Sequence, residues 1–338
     1  MTETIVLTGI SGFIAKHIAL SALNRGHHLR GTLRDMTRAD EVRDALRPGL
    51  ADPSALDRLS FYPADLEQDA GWDAAFDGAT ALIHCASPFP LAQPEDEMDL
   101  IHPAVDGTAR VMRAAAAAGV RRVVLTSSTV AVLDDAKDGI QDEEDWCDPS
   151  SPATTPYARS KTLAERAAWA LASDLGLALT VVNPGLVAGP PLDRHYGSSL
   201  RLIERILKGR DRMLPDMGFP VVDVRDVAEM HLRALERPAT EGRRYIASAG
   251  SMTLVEIGRL FKDAWPTQRI PTKVAPHALV RLLATFNPDL RAILPKLGRL
   301  DRVSSRRAQA EMDMAFIPAA ASMKASATWL IKVGWIWA

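Results

Sequence analysis

The sequence predicts an α/β fold in which a doubly wound parallel sheet carries a second, smaller and mostly helical lobe. Over the first two thirds of the chain, short apolar or β-branched segments alternate with longer helical patterns. Such alternation is typical of parallel strands joined by crossover helices. A glycine-containing turn directly follows the first apolar segment, and 338 residues suffice for one large domain with an added lobe.

The individual strands and helices are predicted from the spacing of apolar residues. A helix over residues 13–24 follows the first strand and stops at Gly26. Another helix covers residues 102–118, where an alanine-rich end suits close packing against a sheet. Strands are predicted at residues 4–7, 28–33, 59–62, 81–85, 123–126, 179–182 and 244–247.

Composition and charge exclude several functional classes. The net charge of -2 provides no broad positive field for a phosphate backbone, so we expect no nucleic-acid partner. No apolar segment reaches the roughly 18 residues that a membrane helix needs, so we expect no membrane partner. Cys85 and Cys147 form no CxxC pair, and no secretory signal precedes the first strand. These features predict a cytoplasmic location.

The turn after the first strand has the residues of a dinucleotide-binding loop. Gly9 permits a tight turn, and Gly12 lets the backbone approach a pyrophosphate that the N–H groups at the helix start would bind. Ala15 replaces the usual third glycine and still allows close packing. This strand–turn–helix context predicts a Rossmann-type cofactor site. The predicted contacts in the loop are Thr8, Gly9, Ser11, Gly12, Phe13 and Ile14.

The end of the second strand favours NADP over NAD. NAD-binding proteins place an acidic residue there for the ribose 2′-hydroxyl, whereas Arg34 and Arg38 follow this strand. A guanidinium binds a 2′-phosphate in a bidentate manner. We expect Asp35 to orient Arg34. A solvated arginine pair is the alternative interpretation.

Tyr157 and Lys161 are predicted to lie one turn apart on one face of a helix. Thr155 and Pro156 supply an N-cap and a first-turn proline for it. The usual pKa of tyrosine, about 10, makes it a weak acid at neutral pH. We expect the Lys161 ammonium and the nicotinamide ring of an oxidised cofactor to lower the pKa of Tyr157 towards the working range.

A serine at the end of the preceding strand is expected to complete the catalytic group. Ser127 and Ser128 follow Thr126 at the edge of the sheet where the cofactor is predicted to bind. A hydroxyl there can orient a substrate carbonyl and stabilise the developing alkoxide. Spacing alone does not separate the two serines, and Ser128 is our first choice.

The chain is expected to divide into two parts. The alternation of strands and helices weakens beyond Pro184, and the remaining segments are mostly helical and broken by prolines. We expect residues 1–190, completed by 221–248, to form an NADP-binding Rossmann domain. Residues 191–220 and 249–338 are expected to form a substrate-binding lobe over the carboxyl ends of the strands, where open α/β sheets bind ligands.

These features together resemble the extended short-chain dehydrogenase/reductases. The similarity is greatest to the branch that holds dihydroflavonol reductases, cinnamoyl-CoA reductases and ketone or aldehyde reductases. It implies that Ser128 is the catalytic serine and that Arg34 marks NADP use. The resemblance covers nearly the whole chain and rests on residues 8–15, 31–35, 64–66, 84–88, 105–108, 126–128, 157–161, 183–190 and 222–228.

The resemblance also implies further cofactor contacts. Asp65 and Leu66 would contact the adenine, while Ala86 and Ser87 would line the groove. Lys161 would bind the ribose next to the nicotinamide. The contacts expected along the other strand ends, including those that hold the carboxamide, are Thr126, Pro184, Gly185, Leu186 and Val187.

Departures from the family restrict the expected substrate. Residues 155–161 lack the Asn-Trp-Tyr-Cys-Tyr-Gly-Lys motif of cinnamoyl-CoA reductases, which argues against a CoA thioester. Val132 stands where flavonoid-binding reductases carry an asparagine, which argues against flavonoid ketones. Thr129 and Val130 stand where sugar dehydratases carry acidic residues, so no acid is placed to expel a hydroxyl.

We therefore expect NADPH-dependent reduction of a ketone or aldehyde to an alcohol, with Tyr157 as proton donor. The expected partner is a small carbonyl or alcohol substrate, and a homodimer stays open. The histidines lack the spacing of metal ligands, so no metal site is predicted. One alternative is a nucleotide-sugar or sterol epimerase or dehydrogenase, with which the cationic residues between 192 and 220 are compatible. Another is a non-catalytic NADP-binding protein.

Overall fold

The computed structural model describes residues 2–87 and 96–336, and Pro88 of the family resemblance lies outside these ranges. The strands within these ranges are β1 (Thr4–Thr8), β2 (His28–Leu33), β3 (Leu59–Pro63), β4 (Ala81–His84), β5 (Arg122–Thr126), β6 (Ile140–Gln141), β7 (Ala178–Pro184), β8 (Leu186–Ala188), β9 (Met217–Asp223), β10 (Arg243–Ala247), β11 (Ser251–Thr253), β12 (Arg299–Leu300) and β13 (Arg302–Val303). Seven of them, all parallel, form the central sheet in the order β10-β7-β5-β4-β1-β2-β3.

Helices cover both faces of this sheet. In β1, Ile5 and Leu7 belong to one apolar core and Val6 to the core on the opposite face. A parallel sheet buried on both faces is characteristic of doubly wound folds. The helices are α1 (Phe13–Asn24), α2 (Ala39–Leu46), α3 (Trp72–Phe76), α4 (Met98–Ala117), α5 (Pro156–Leu175), α6 (Ser198–Leu207), α7 (Val224–Glu236), α8 (Leu254–Ala264), α9 (His277–Ala284), α10 (Pro288–Ala292), α11 (Arg306–Met312) and α12 (Ala319–Lys332).

The predicted α/β class with a parallel sheet is confirmed, and its strands lie close to the predicted positions. Helix α4 begins four residues earlier than predicted, at Met98, and contains Pro103. The segment from 191 to 220 is less helical than predicted, because its last four residues belong to strand β9, which starts at Met217. The β-branched residues Val221 and Val222 of β9 favour a strand.

A smaller sheet forms where the chain leaves the central one. Strand β9 pairs in parallel with β8 and β12 and antiparallel with β11. Since β8 follows β7 after Gly185 alone, this small sheet starts at the carboxyl end of β7. A side chain at Gly185 would lie 2.5 Å from the carbonyl oxygen of Pro220, so only glycine permits this close approach.

Helix α5 shows how local sequence sets a helix that matters for function. Thr155 has an extended backbone, and its hydroxyl accepts a hydrogen bond from the Ala158 N–H at 3.2 Å. Pro156 occupies the first turn, and Gly176 ends the helix at a φ of 63°. This is the predicted start, with the N-cap and the proline in their favoured positions.

Across residues 2–87 and 96–336, every helix is too short or too polar to span a bilayer.

Candidate active site

The turn between β1 and α1 has the geometry of an anion-binding loop. Gly9 has a φ of 65°, and a side chain there would lie 3.1 Å from Ala86. Gly12 is the N-cap of α1, where no side chain accepts from the first N–H groups and no acidic residue lies in the first turn. The start of α1 therefore presents N–H groups and a positive dipole end, which suit a pyrophosphate.

Two adjoining cavities extend from this turn along the carboxyl ends of the strands. The first has a volume of about 370 Å³ and the second about 320 Å³. Both are lined by Gly9, Gly12, Cys85 and Ser87, so they form one groove. The predicted cofactor residues that line the groove are Gly9, Ser11, Gly12, Phe13, Ile14, Arg34, Asp65, Leu66, Ala86, Ser87, Thr126, Lys161, Pro184, Gly185 and Val187.

Three predicted cofactor contacts do not line either cavity. Thr8 is fully buried, and its hydroxyl accepts hydrogen bonds from the N–H groups of Cys85 and Ala86 at 3.0 Å. Thr8 thereby holds the end of β4 in place beneath the groove. Leu186 lies in β8 between Gly185 and Val187, which both line the second cavity. Arg38 donates to the Ser11 hydroxyl at 3.2 Å and thus lies next to the loop.

Arg34 lines the first cavity and is exposed, as a residue that meets a 2′-phosphate should be. Arg38 is bound to Glu41 at 2.9 Å, so part of its charge is already neutralised. We expected Asp35 to orient Arg34, but the Asp35 carboxylate accepts from the Thr37 N–H and hydroxyl instead. These bonds lower the pKa of Asp35 and cap a short 3₁₀ turn.

Tyr157, Lys161 and Ser128 meet in the second cavity. The Lys161 ammonium lies 6.0 Å from the centre of the Tyr157 ring. The Ser128 side chain lies close enough to the Tyr157 phenol to lower the pKa of that phenol. The Ser128 hydroxyl also lies 3.5 Å from the Pro184 carbonyl oxygen. Phenol, ammonium and aliphatic hydroxyl thus face one space at the edge of the sheet.

The two serines that sequence spacing could not separate have different surroundings. Ser127 is 6% exposed and donates to the buried Glu165 carboxylate at 2.5 Å. Ser128 is partly exposed and accepts from the Val130 N–H at 3.3 Å. The Ser127 hydroxyl is therefore engaged in the core, while Ser128 lines the second cavity beside Tyr157.

Burial dominates the acid–base properties of the cavity. It raises the pKa of Tyr157 to about 12, against the opposing effect of the hydrogen bond from Ser128. It lowers the pKa of Lys161 to about 8, against the opposing effects of Cys85 and Glu165. The expected lowering of the Tyr157 pKa by Lys161 is therefore not found in the free chain. Tyr157 instead keeps its proton at neutral pH, which a proton donor requires.

The structure adds lining residues that the sequence did not indicate. Cys85 follows β4 at the same edge as Ser128, and the rule that strand ends converge could have found it. Tyr196 lies in the segment before α6, and no motif marks it. The other added lining residues of the second cavity are Gly197, Ser198 and Ser199.

Comparisons with known proteins identify relatives over most of the chain. Residues 5–248 match the NAD dependent epimerase/dehydratase family. Cinnamoyl-CoA reductase 1 from Arabidopsis thaliana is 34% identical over 276 residues, which cover 80% of this chain and 77% of that protein. An anthocyanidin reductase from Vitis vinifera is 30% identical over 287 residues, with coverages of 80% and 83%.

Among solved structures, a yeast methylglyoxal/isovaleraldehyde reductase complexed with NADPH is similar over 98% of both chains. Its TM-score is 0.79 and its sequence is 26% identical.

The different surroundings of the two serines give a stability prediction. Replacing Ser127 with alanine leaves the buried Glu165 carboxylate short of one donor, so the free energy of unfolding should fall by about 1–3 kcal/mol. The matched Ser128→Ala variant loses a partly exposed hydroxyl and should lose less. Urea denaturation of both variants measures the difference. Equal losses, or a larger loss for Ser128→Ala, would contradict the geometry.

Proposed function

The chain belongs to the NAD dependent epimerase/dehydratase family, the extended short-chain dehydrogenase/reductases, and from this we propose that it reduces a ketone or aldehyde to an alcohol with NADPH. One observation carries the proposal. Tyr157, Lys161 and Ser128 share a cavity that continues into a phosphate-binding turn, so a dinucleotide in the groove places its reactive end beside a proton donor.

The relatives support this choice of chemistry. Both curated relatives are named as reductases, and the yeast structure is that of an aldehyde reductase with bound NADPH. A dehydratase or epimerase of the same family needs the same dinucleotide, so the fold alone does not select among them. Reduction is favoured over dehydration because Thr129 and Val130, rather than acidic residues, directly follow Ser128.

The groove fits NADPH on the structure's own features. The bare N-terminus of α1 suits the pyrophosphate, and the crowded backbone at Gly9 suits a close approach of the chain to the cofactor. Arg34 would bind the 2′-phosphate, and Asp65 and Leu66, which line the same cavity, would contact the adenine. When bound, NADPH supplies the hydride that the carbonyl carbon receives.

The side chains of the second cavity perform the remaining steps. Ser128 donates a hydrogen bond to the substrate oxygen and stabilises the charge that develops on it. Tyr157, protonated at neutral pH, donates its proton to that oxygen. The resulting phenolate is stabilised by the nearby Lys161 ammonium. Lys161 also binds the ribose hydroxyls and so fixes the cofactor against Tyr157.

We infer a medium-sized apolar carbonyl compound as the substrate. Phe13, Ile14 and Val187 line the second cavity together with Tyr196. The family's CoA-type motif is missing from residues 155–161, so a CoA thioester is not proposed. A flavonoid is not proposed either, because Val132 is fully buried and lies outside the lining. The cytoplasmic location and a homodimer stay predictions.

One observation favours a nucleotide-sugar epimerase as the second candidate. Tyr196 separates the second cavity from a neighbouring one of about 610 Å³, and lines both. A diphosphate could bind in this neighbouring cavity, whose cationic lining residues are Arg194, Arg201, Arg205, Lys208 and Arg210. An epimerase leaves the nicotinamide absorbance unchanged after turnover, whereas a reductase oxidises NADPH and so lowers this absorbance. Turnover of a nucleotide sugar without net NADPH oxidation would favour this candidate.

Removal of the Tyr157 hydroxyl tests the proposed proton donor. The Tyr157→Phe variant should lose at least about 100-fold in NADPH oxidation with a panel of ketones and aldehydes, because general-acid catalysis contributes about 10²–10⁴. NADPH binding, followed by fluorescence, should be retained. Tyr62→Phe is the control, since Tyr62 stacks on Arg30 away from the groove. Near-normal turnover by Tyr157→Phe would refute the assignment.

Removal of the Arg34 charge tests the choice of cofactor. The KM for NADPH should rise about 10- to 100-fold in Arg34→Ala, since a charge-assisted bond to the 2′-phosphate is lost. The KM for NADH should change little. Arg47→Ala serves as control because Arg47 is exposed and lies outside the groove. If both cofactors were affected equally, Arg34 would not be the phosphate ligand.

A further inference from the structure

Glu165 lies on the same face of α5 as the catalytic residues, one turn beyond Lys161 and two beyond Tyr157. It is 1% exposed, which is unusual for a glutamate. The second cavity is not lined by Glu165, so it does not touch a substrate there. A buried carboxylate of this kind needs several donors to offset the loss of water.

The donors come from three neighbouring strands and from α5 itself. Arg244 of β10 donates to one carboxylate oxygen at 2.6 Å, and Trp169 of α5 lies 3.4 Å from the same oxygen. Asn183 of β7 and Ser127 at the end of β5 donate to the other oxygen at 2.8 and 2.5 Å. The carboxylate of Glu165 therefore ties α5 to the carboxyl ends of β5 and β7 and to β10.

Two of these donors directly precede a residue of the proposed site. Ser127 precedes Ser128, and Asn183 precedes Pro184, which lines the second cavity. Asn183 also donates to the Ser128 carbonyl oxygen at 3.2 Å. One carboxylate thus sets the distance between the helix that carries Tyr157 and the strand ends that carry Ser128 and Pro184.

Glu165 is also the negative charge beneath Lys161. The ionisable groups around the Lys161 ammonium are Tyr157, Cys85, His84 and Glu165. Burial lowers the pKa of Lys161, and the Glu165 carboxylate opposes this effect. Arg244 balances the Glu165 charge from the far side and stacks on Trp146 at 3.7 Å.

We propose that Glu165 is a positioning residue for the reduction, which holds the Ser128 hydroxyl and the Tyr157 phenol in register across the cavity and keeps a negative charge beneath Lys161. The inference rests on the proposed function for its kinetic part. Its electrostatic part concerns the free chain and does not require turnover.

The test uses the full chain with Glu165→Gln, which keeps the shape of the side chain and removes its charge. We expect kcat for the reduction to fall about 10- to 100-fold, because small misplacements of reacting groups cost this much. The Kd for NADPH should stay within about threefold, since Glu165 does not line the groove that is proposed to bind the cofactor. The decline of kcat/KM at alkaline pH should also begin at a lower pH than in wild type.

Two further variants separate positioning from a merely structural role. Glu143→Gln is the matched control, because Glu143 is 5% exposed and binds the Ile246 N–H away from the site. It should leave unchanged both kcat and the pH at which kcat/KM begins to decline. Glu165→Asp keeps the charge but shortens the side chain, so kcat should fall while the pH of this decline stays that of wild type. If Glu165→Gln does not fold, these two measurements on Glu165→Asp test the proposal.

An NMR titration of ¹³C-labelled lysine gives a readout without substrate. The Lys161 signal, assigned with Lys161→Arg, should titrate at a lower pH in Glu165→Gln and at the wild-type pH in Glu143→Gln. Wild-type kcat and an unchanged Lys161 titration in Glu165→Gln would overturn the inference. Absence of carbonyl reduction by the wild-type chain would instead overturn the proposed function, and the Lys161 titration would still decide the role of Glu165.

Discussion

The burial of Lys161 and the partial burial of Tyr157 are the constraint on which the rest of the site depends. Burial favours the neutral form of both groups, and it raises the pKa of Tyr157 to about 12 while it lowers that of Lys161 to about 8. The phenol is thereby kept as a donor. The phenolate left after proton transfer then needs support, which the Lys161 charge and a bound dinucleotide are placed to give.

The fold supplies this buried site by collecting distant parts of the chain at one edge. In a parallel sheet all carboxyl ends lie on the same side, so the turn after β1 and the residues after β4, β5 and β7 become neighbours. The order of the strands places β1, β4, β5 and β7 next to one another. Helix α5 then brings Tyr157 over that edge, and Glu165 fixes it there.

Much of this arrangement could be predicted because its signals are local. The start of α5 follows from Thr155 and Pro156, and the phosphate turn follows from its glycines between a strand and a helix. The separation of Ser127 from Ser128 could not be predicted, since the partner that engages Ser127 lies 38 residues away. The rise of the Tyr157 pKa in the free chain could not be predicted either, because burial is set by the tertiary packing around the ring. The expected lowering, which includes the effect of an oxidised cofactor, stays a prediction.

A crystal structure of the complex with NADP⁺ tests the central claim most directly. The account predicts that the Lys161 ammonium donates to the ribose hydroxyls next to the nicotinamide. It also predicts that the Tyr157 hydroxyl faces the nicotinamide ring within the second cavity. A dinucleotide bound with its nicotinamide outside this cavity, or with Lys161 beyond hydrogen-bond reach of the sugar, would contradict it.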